Sequence, residues 1–284
     1  MTELLFHVAG GVVFLLLAFC LLGLLAAGLF FRGEAAGRYL HGMELLVAAG
    51  VLVSAPPVPS GLLPLWAILV FATLVQGYWL GRRGRWVTGV AGGLLALATC
   101  GLILLEVPYL RMPQVSVPDS IHVVGDSLSA GIGREHSTWP GLLSENTGLA
   151  VTSAAVPGAR LANGIDQLQS VDGGTTLVVV LLGGNDVLLR RPRAEFDRDL
   201  HALLSHLAET PYPAVMFELP VVAGYRPYGR IQRRLAREYE IPLIPANVLA
   251  RVLSAPGGTS DGIHLTDRGH RDLADRVAGM LASD

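Results

Sequence analysis

A chain of 284 residues with a formal net charge of -2 and no basic stripe interleaved with aromatics lacks the electrostatic footprint of a nucleic-acid binder. All 21 basic residues are arginine, which excludes a catalytic lysine or Schiff base, and the two cysteines, Cys20 and Cys100, lie in apolar runs and imply no disulfide framework. Charge is spread unevenly: residues up to about 110 are almost wholly apolar, and the rest alternate apolar runs with charged stretches, so a membrane part followed by a soluble part is expected.

The apolar part predicts an all-α transmembrane domain of about four helices over residues 1–108, with spans at 4–31, 39–55, 62–80 and 86–105. The first exceeds the ~20 residues a crossing helix needs and is too long for the apolar core of a signal peptide. Arg32 and Arg38 occupy the first joint, Ala55 to Gly61 form an uncharged, proline-rich second, and Arg82, Arg83 and Arg85 mark the third. Counting positive charge inside places the first and third joints in the cytoplasm. The N-terminus and the soluble domain are then both on the extracytoplasmic, periplasmic side of the cytoplasmic membrane. Glu44, about one turn inside the second span, suits a snorkelling or helix-pairing carboxylate better than a reactive one. Gly89 and Gly93 have the spacing of close helix approach.

Residues 109–118, flanked and interrupted by Pro108, Pro113 and Pro118, read as an extended tether to a domain at 119–284. Ile121 to Val124 predicts a buried strand that breaks at Gly125-Asp126-Ser127, leaving a serine where ligands bind in open α/β sheets. By itself that tripeptide also fits a strand end followed by a helix cap. Further strands are expected at 150–155, 176–182, 214–221 and 243–244, and helices at 138–146, 161–171, 194–208, 229–240 and 267–281, the last with Thr266 as N-cap. Strands alternating with helices imply α/β architecture: a parallel sheet covered on both faces.

Asp261 and His264 are three residues apart, close enough on a turn for the carboxylate to accept the imidazole Nδ1 proton and leave Nε2 free to deprotonate Ser127. With these residues in this order, the chain resembles the SGNH-hydrolase superfamily, the GDSL esterases and lipases. Gly125-Asp126-Ser127-Leu128, Gly158, Gly183-Gly184-Asn185-Asp186 and Asp261-Gly262-Ile263-His264 match its four blocks in order, over about residues 119–283. Within it, the layout is similar to the lysophospholipase and thioesterase I type, and Ser153 stands where those enzymes often carry asparagine.

The resemblance implies a three-layer α/β/α, flavodoxin-like hydrolase domain with Ser127 as nucleophile, His264 as general base and Asp261 orienting it. The Ser127 and Gly158 N–H groups and the Asn185 amide would form the oxyanion hole, and no cofactor or metal is expected. The membrane half lies outside the family pattern. His7, His41, His122, His136, His201, His206 and His270 show no ligand spacing. Arg226, Arg230, Arg233, Arg234 and Arg237 read as a solvated helix face, with anionic headgroups as the second reading. The expectation is a membrane-anchored serine esterase acting on acyl lipids or O-acetylated envelope glycans. The alternatives are an O-acyltransferase using the same serine and an inactive binding domain.

Overall fold

The structure, a computed structural model, describes residues 16–23, 47, 61–79, 85–171 and 175–282. Contacts group the chain into two units, one built on Gly11–Pro108 and the other on Tyr109–Asp284. In the first, residues 16–23 are helical, α1 covers Leu62–Trp79 and α2 covers Arg85–Glu106. Trp66, buried on α1, donates through Nε1 to Thr99 Oγ1 on α2 at 2.8 Å, and Thr99 donates onward to Leu95 O at 2.8 Å. That chain of bonds satisfies the buried indole and hydroxyl.

Among the described residues no helix is long and apolar enough to cross a membrane. The expected transmembrane domain of four helices therefore finds no span in the structure. The span expected at 62–80 is the 18-residue α1, about 27 Å long against a hydrocarbon core of about 30 Å. The one expected at 86–105 lies within α2, which is bounded by Arg85 and Glu106 and carries Thr88 and Thr99. Of 4–31 only 16–23 are described, and of 39–55 only Val47; Glu44 lies outside the described residues.

The second unit is an α/β fold. Its elements run β1 (Val115–Ser116), β2 (Ser120–Gly125), α3 (Ser127–Ala130), α4 (Trp139–Thr147), β3 (Ala150–Ser153), α5 (Gly164–Leu168), β4 (Thr176–Leu181) and α6 (Gly184–Leu188). They continue with α7 (Arg193–Ala208), β5 (Ala214–Phe217), α8 (Arg226–Glu238), β6 (Leu243–Ile244), α9 (Ala246–Ser254), α10 (Asp267–Ala278) and β7 (Leu281–Ala282). Five strands pair in parallel in the order β3-β2-β4-β5-β6. Since a parallel sheet needs cover on both faces, its central strands are largely apolar and β4 is buried along its whole length, whereas the edge strand β3 is mostly exposed.

Alternation along β4 divides the core. Leu177, Val179 and Leu181 join Trp139, Leu143, Val252, Leu273 and Val277 on the face covered by α4, α9 and α10. Val178, Val180 and Leu182 join Phe196, Leu200, Leu203 and Leu235 on the face covered by α7 and α8. The three-layer α/β/α architecture is that of the fold expected. Strand order reverses around β2: the chain goes from β2 outward to β3 and returns across it to β4. The carboxyl ends of β2 and β4 therefore flank a switch point, where open α/β sheets bind ligands.

Several elements differ from their expected bounds for local reasons. The helix expected at 161–171 is a 3₁₀ turn at Leu161–Asn163 followed by the short α5. The strand expected at 214–221 ends at Phe217, ahead of Pro220, which has no N–H for a ladder. The helix expected at 229–240 starts at Arg226, with Pro227 in its first turn. The arginines of α8 do not form one solvated face, because Arg233 is buried. The segment expected as an extended tether is tied down at two points: Tyr109 lies against Arg233, and β1 pairs with β7.

Candidate active site

The nucleophile turn is built by small residues in tight quarters. Gly125 ends β2 where a Cβ would lie 2.6 Å from Ser129 Oγ and 2.8 Å from Ser129 Cβ, so only glycine lets the chain double back into α3. Gln167 on α5 holds this point: its Oε1 accepts from Gly125 N at 2.7 Å and its Nε2 donates to Gly125 O at 3.0 Å. Asp126 caps α3 by accepting from Leu128 N at 2.9 Å. Ser127 thus opens α3 at the carboxyl end of β2, 8% exposed. Its N–H makes no hydrogen bond among the described residues.

Gly158 stands in the loop after β3 with φ +80, a conformation that favours glycine, and its N–H is likewise unbonded among the described residues. The loop is held from the far side of β2 by the Asn185-Asp186 pair. Asn185 Nδ2 donates to Ala159 O at 2.8 Å, and Asp186 Oδ2 accepts from Leu161 N at 3.0 Å. Asn185 Nδ2 also donates to Asp126 Oδ2 at 3.3 Å. One amide therefore connects the three motifs that follow β2, β3 and β4.

The remaining motif is a closed loop between α9 and α10. Ser260 N donates to His264 O at 2.9 Å and Thr266 N to Gly258 O at 3.0 Å, so the turn is pinned at its neck. Inside it, Asp261 Oδ1 accepts from the N–H groups of Ile263 at 3.0 Å and His264 at 2.8 Å, while Oδ2 faces His264 Nδ1 at 2.6 Å. The His264 side chain and these two N–H groups hold the Asp261 carboxyl down at about 2. With Nδ1 engaged, Nε2 is the nitrogen left for a substrate or nucleophile. His264 and Ser127 share no hydrogen bond among the described residues.

Burial raises the Asp126 carboxyl to about 6, opposed by the bond from Leu128 N and by the charge of His264. Burial likewise raises Asp186 against the bond from Leu161 N.

Residues 123–271, more than half of the chain, match the GDSL-like Lipase/Acylhydrolase family. The chain belongs to that family. It is 26% identical over 178 residues to "Thioesterase 1/protease 1/lysophospholipase L1" of Escherichia coli K12, covering 59% of this chain and 86% of that protein. In fold it is similar to the psychrotrophic esterase EstA of Pseudoalteromonas sp., with TM-score 0.51 and 17% identity over 57% of this chain and 96% of the other. It is similar to the structure of TesA as well, with TM-score 0.51 and 23% identity over 57% and 97% of the two chains. The protein is thus an enzyme of the GDSL serine-hydrolase class.

Of the supports of the GDSL turn, the sequence marks His270 as a capping or packing residue of the closing helix but does not mark Gln167 or His136. Gln167 contacts Gly125 across 42 positions, and nothing in the local pattern of α5 marks it. His136 lies beside Asp267 at 2.7 Å through Nδ1 and 2.8 Å through its N–H, tying the loop after α3 to the start of α10. His270 is fully buried; its Nδ1 accepts from Trp139 N at 3.1 Å, and Trp139 Nε1 donates to Ser129 Oγ at 3.2 Å. His122 is another buried structural histidine, 2.9 Å from both Thr152 Oγ1 and Gln167 O.

Proposed function

We propose that the enzyme hydrolyses carboxylic or thio esters of acyl lipids or O-acetylated envelope glycans through a Ser127-His264-Asp261 triad and an acyl-enzyme. The observation that carries this is the Asp261-His264 pair, held at 2.6 Å by a loop that also donates two backbone N–H groups to the same carboxylate. A serine hydroxyl is a poor nucleophile without such an oriented base.

In this reading His264 Nε2 takes the Ser127 proton as Oγ attacks the ester carbonyl, and Asp261 stabilises the imidazolium that results. The oxyanion is met by the N–H groups of Ser127 and Gly158 and by Asn185 Nδ2, which releases its longer bond, the 3.3 Å contact to Asp126. Collapse expels the alcohol or thiol, which His264 protonates. Water, deprotonated by the same nitrogen, then frees the acid and restores Ser127.

The enzyme is further proposed to sit at the outer face of the cytoplasmic membrane. Support comes from the apolar runs of residues 1–108, from the arginines at their first and third joints, and from Leu65, Ile68 and Phe71 on α1 and Leu97 and Leu104 on α2, all more than half exposed in their own unit.

The test is hydrolysis of p-nitrophenyl esters from acetyl to palmitoyl by the full chain in detergent, beside Ser127→Ala. Turnover lost in the variant is expected, with the chain-length optimum separating deacetylation from lipid cleavage. Turnover that persists in Ser127→Ala would contradict the mechanism.

A further inference from the structure

Leu188 and Leu189 close α6 at the surface, 58% and 65% exposed, about one turn beyond Asn185. Val156, 54% exposed, lies two residues before Gly158. Single exposed aliphatic side chains need no explanation. These adjoin the two residues expected to bind the oxyanion. The leucines also run directly into Arg190-Arg191-Pro192-Arg193. Arg191 pairs with Glu195, whereas Arg190 and Arg193 are exposed with no ion-pair partner among the described residues.

The chain enters this unit at the same end of the sheet. The Arg233 guanidinium lies 3.7 Å from the centre of the Tyr109 ring and is paired with Glu218, the residue that follows β5 at its carboxyl end. Mouth, exposed leucines, unpaired arginines and the Tyr109-Arg233 contact thus share one end of this unit.

We propose that this lip of the active site docks on an anionic lipid surface, with Leu188, Leu189 and Val156 entering the acyl boundary and Arg190 and Arg193 meeting the headgroups. The inference rests on the acyl-lipid reading above and narrows it: the ester is taken from a membrane leaflet. Aliphatic tips beside cationic flanks are what an interfacial anchor needs. An arginine near an anionic leaflet is worth about fivefold in partitioning, and a buried leucine about tenfold or more.

The test uses the full chain carrying Cys20→Ala and Cys100→Ala, with Leu189→Cys bearing an environment-sensitive fluorophore, reconstituted in phosphatidylcholine vesicles with or without phosphatidylglycerol. Quenching by a nitroxide on the lipid acyl chain reports insertion. A label at Glu209→Cys, exposed just past the end of α7 and ahead of β5, at the amino end of the sheet opposite the mouth, is the reference. The expected result is strong quenching at 189 that grows with phosphatidylglycerol, little at 209, and docking about 25-fold weaker when Arg190→Ser and Arg193→Ser are added. Equal quenching at the two positions, or quenching at 189 indifferent to phosphatidylglycerol, would overturn the proposal. Ser127→Ala should keep the quenching while losing turnover, so failure of docking and failure of the triad are read separately.

Discussion

Asn185 Nδ2 lies 3.3 Å from Asp126 Oδ2, so the residue that caps the nucleophile helix also holds the amide expected to meet the oxyanion. Burial raises that carboxyl to about 6 from 3.8. A raised folded value means the folded chain binds the proton more tightly, giving stability that is complete below about pH 4 and lost as pH rises through about 6. The lost amount is about 3 kcal/mol. Asp126→Asn keeps an acceptor for Leu128 N and removes the titration. Its melting temperature relative to wild type should therefore rise between pH 4 and 7. A difference that stays constant across that range would contradict this account of Asp126.

His270 works in the opposite direction. Burial lowers its value below 6.5, against the raising effect of Glu135 and Asp267, so the folded chain resists the proton that the unfolded chain accepts. Stability is full above about pH 6.5 and falls as the pH drops below it. His270→Asn, which can still accept from Trp139 N, should flatten that acid limb of the melting curve. Identical limbs in the two proteins would show that His270 does not set it.

Gln167 satisfies both backbone groups of Gly125. Gln167→Leu leaves the Gly125 N–H unpaired directly behind the nucleophile turn, while Gly125 O keeps the bond from Val156 N at 3.1 Å, so the cost is about 1–3 kcal/mol for the one group left unsatisfied. Chemical denaturation should show that loss, and kcat should fall more than KM rises because the Ser127 N–H shifts. Wild-type stability in Gln167→Leu would mean that the strand end is held by other contacts.

The loop bearing His264 rests on Gly269, where a Cβ would lie 2.1 Å from the Gly258 backbone oxygen. Gly269→Ala must therefore displace that loop. Esterase turnover is expected to drop about tenfold or more while the Ser127 side of the site is unaltered. A variant as active as wild type would show that the neck of the loop can move without cost to catalysis.

The motifs and the layers were legible because each rests on a local signal. β4 is an apolar run rich in β-branched residues, Thr266 is a cap whose side chain accepts from Gly269 N, and Asp261 reaches His264 across three positions. What escaped depends on distance in sequence. The Gln167-Gly125 clamp, the His136-Asp267 tie and the β1-β7 pairing join residues far apart, and no periodicity encodes them. α9 was missed because Pro245 before it and Pro256 after it leave a short apolar run that reads equally as loop or strand. Arg233 was misread because its partners, Glu218 and Tyr109, come from β5's end and the chain's entry into the domain.

The central claim is that Ser127 is the nucleophile activated by His264. The most direct measurement is intact mass of the full chain after treatment with a fluorophosphonate, with peptide mapping of the adduct, beside His264→Ala and Ser127→Ala. A single adduct on Ser127, slowed by 10²-fold or more in His264→Ala and absent from Ser127→Ala, is the result expected. An adduct on another residue, or labelling of Ser127 at the wild-type rate without His264, would contradict the account.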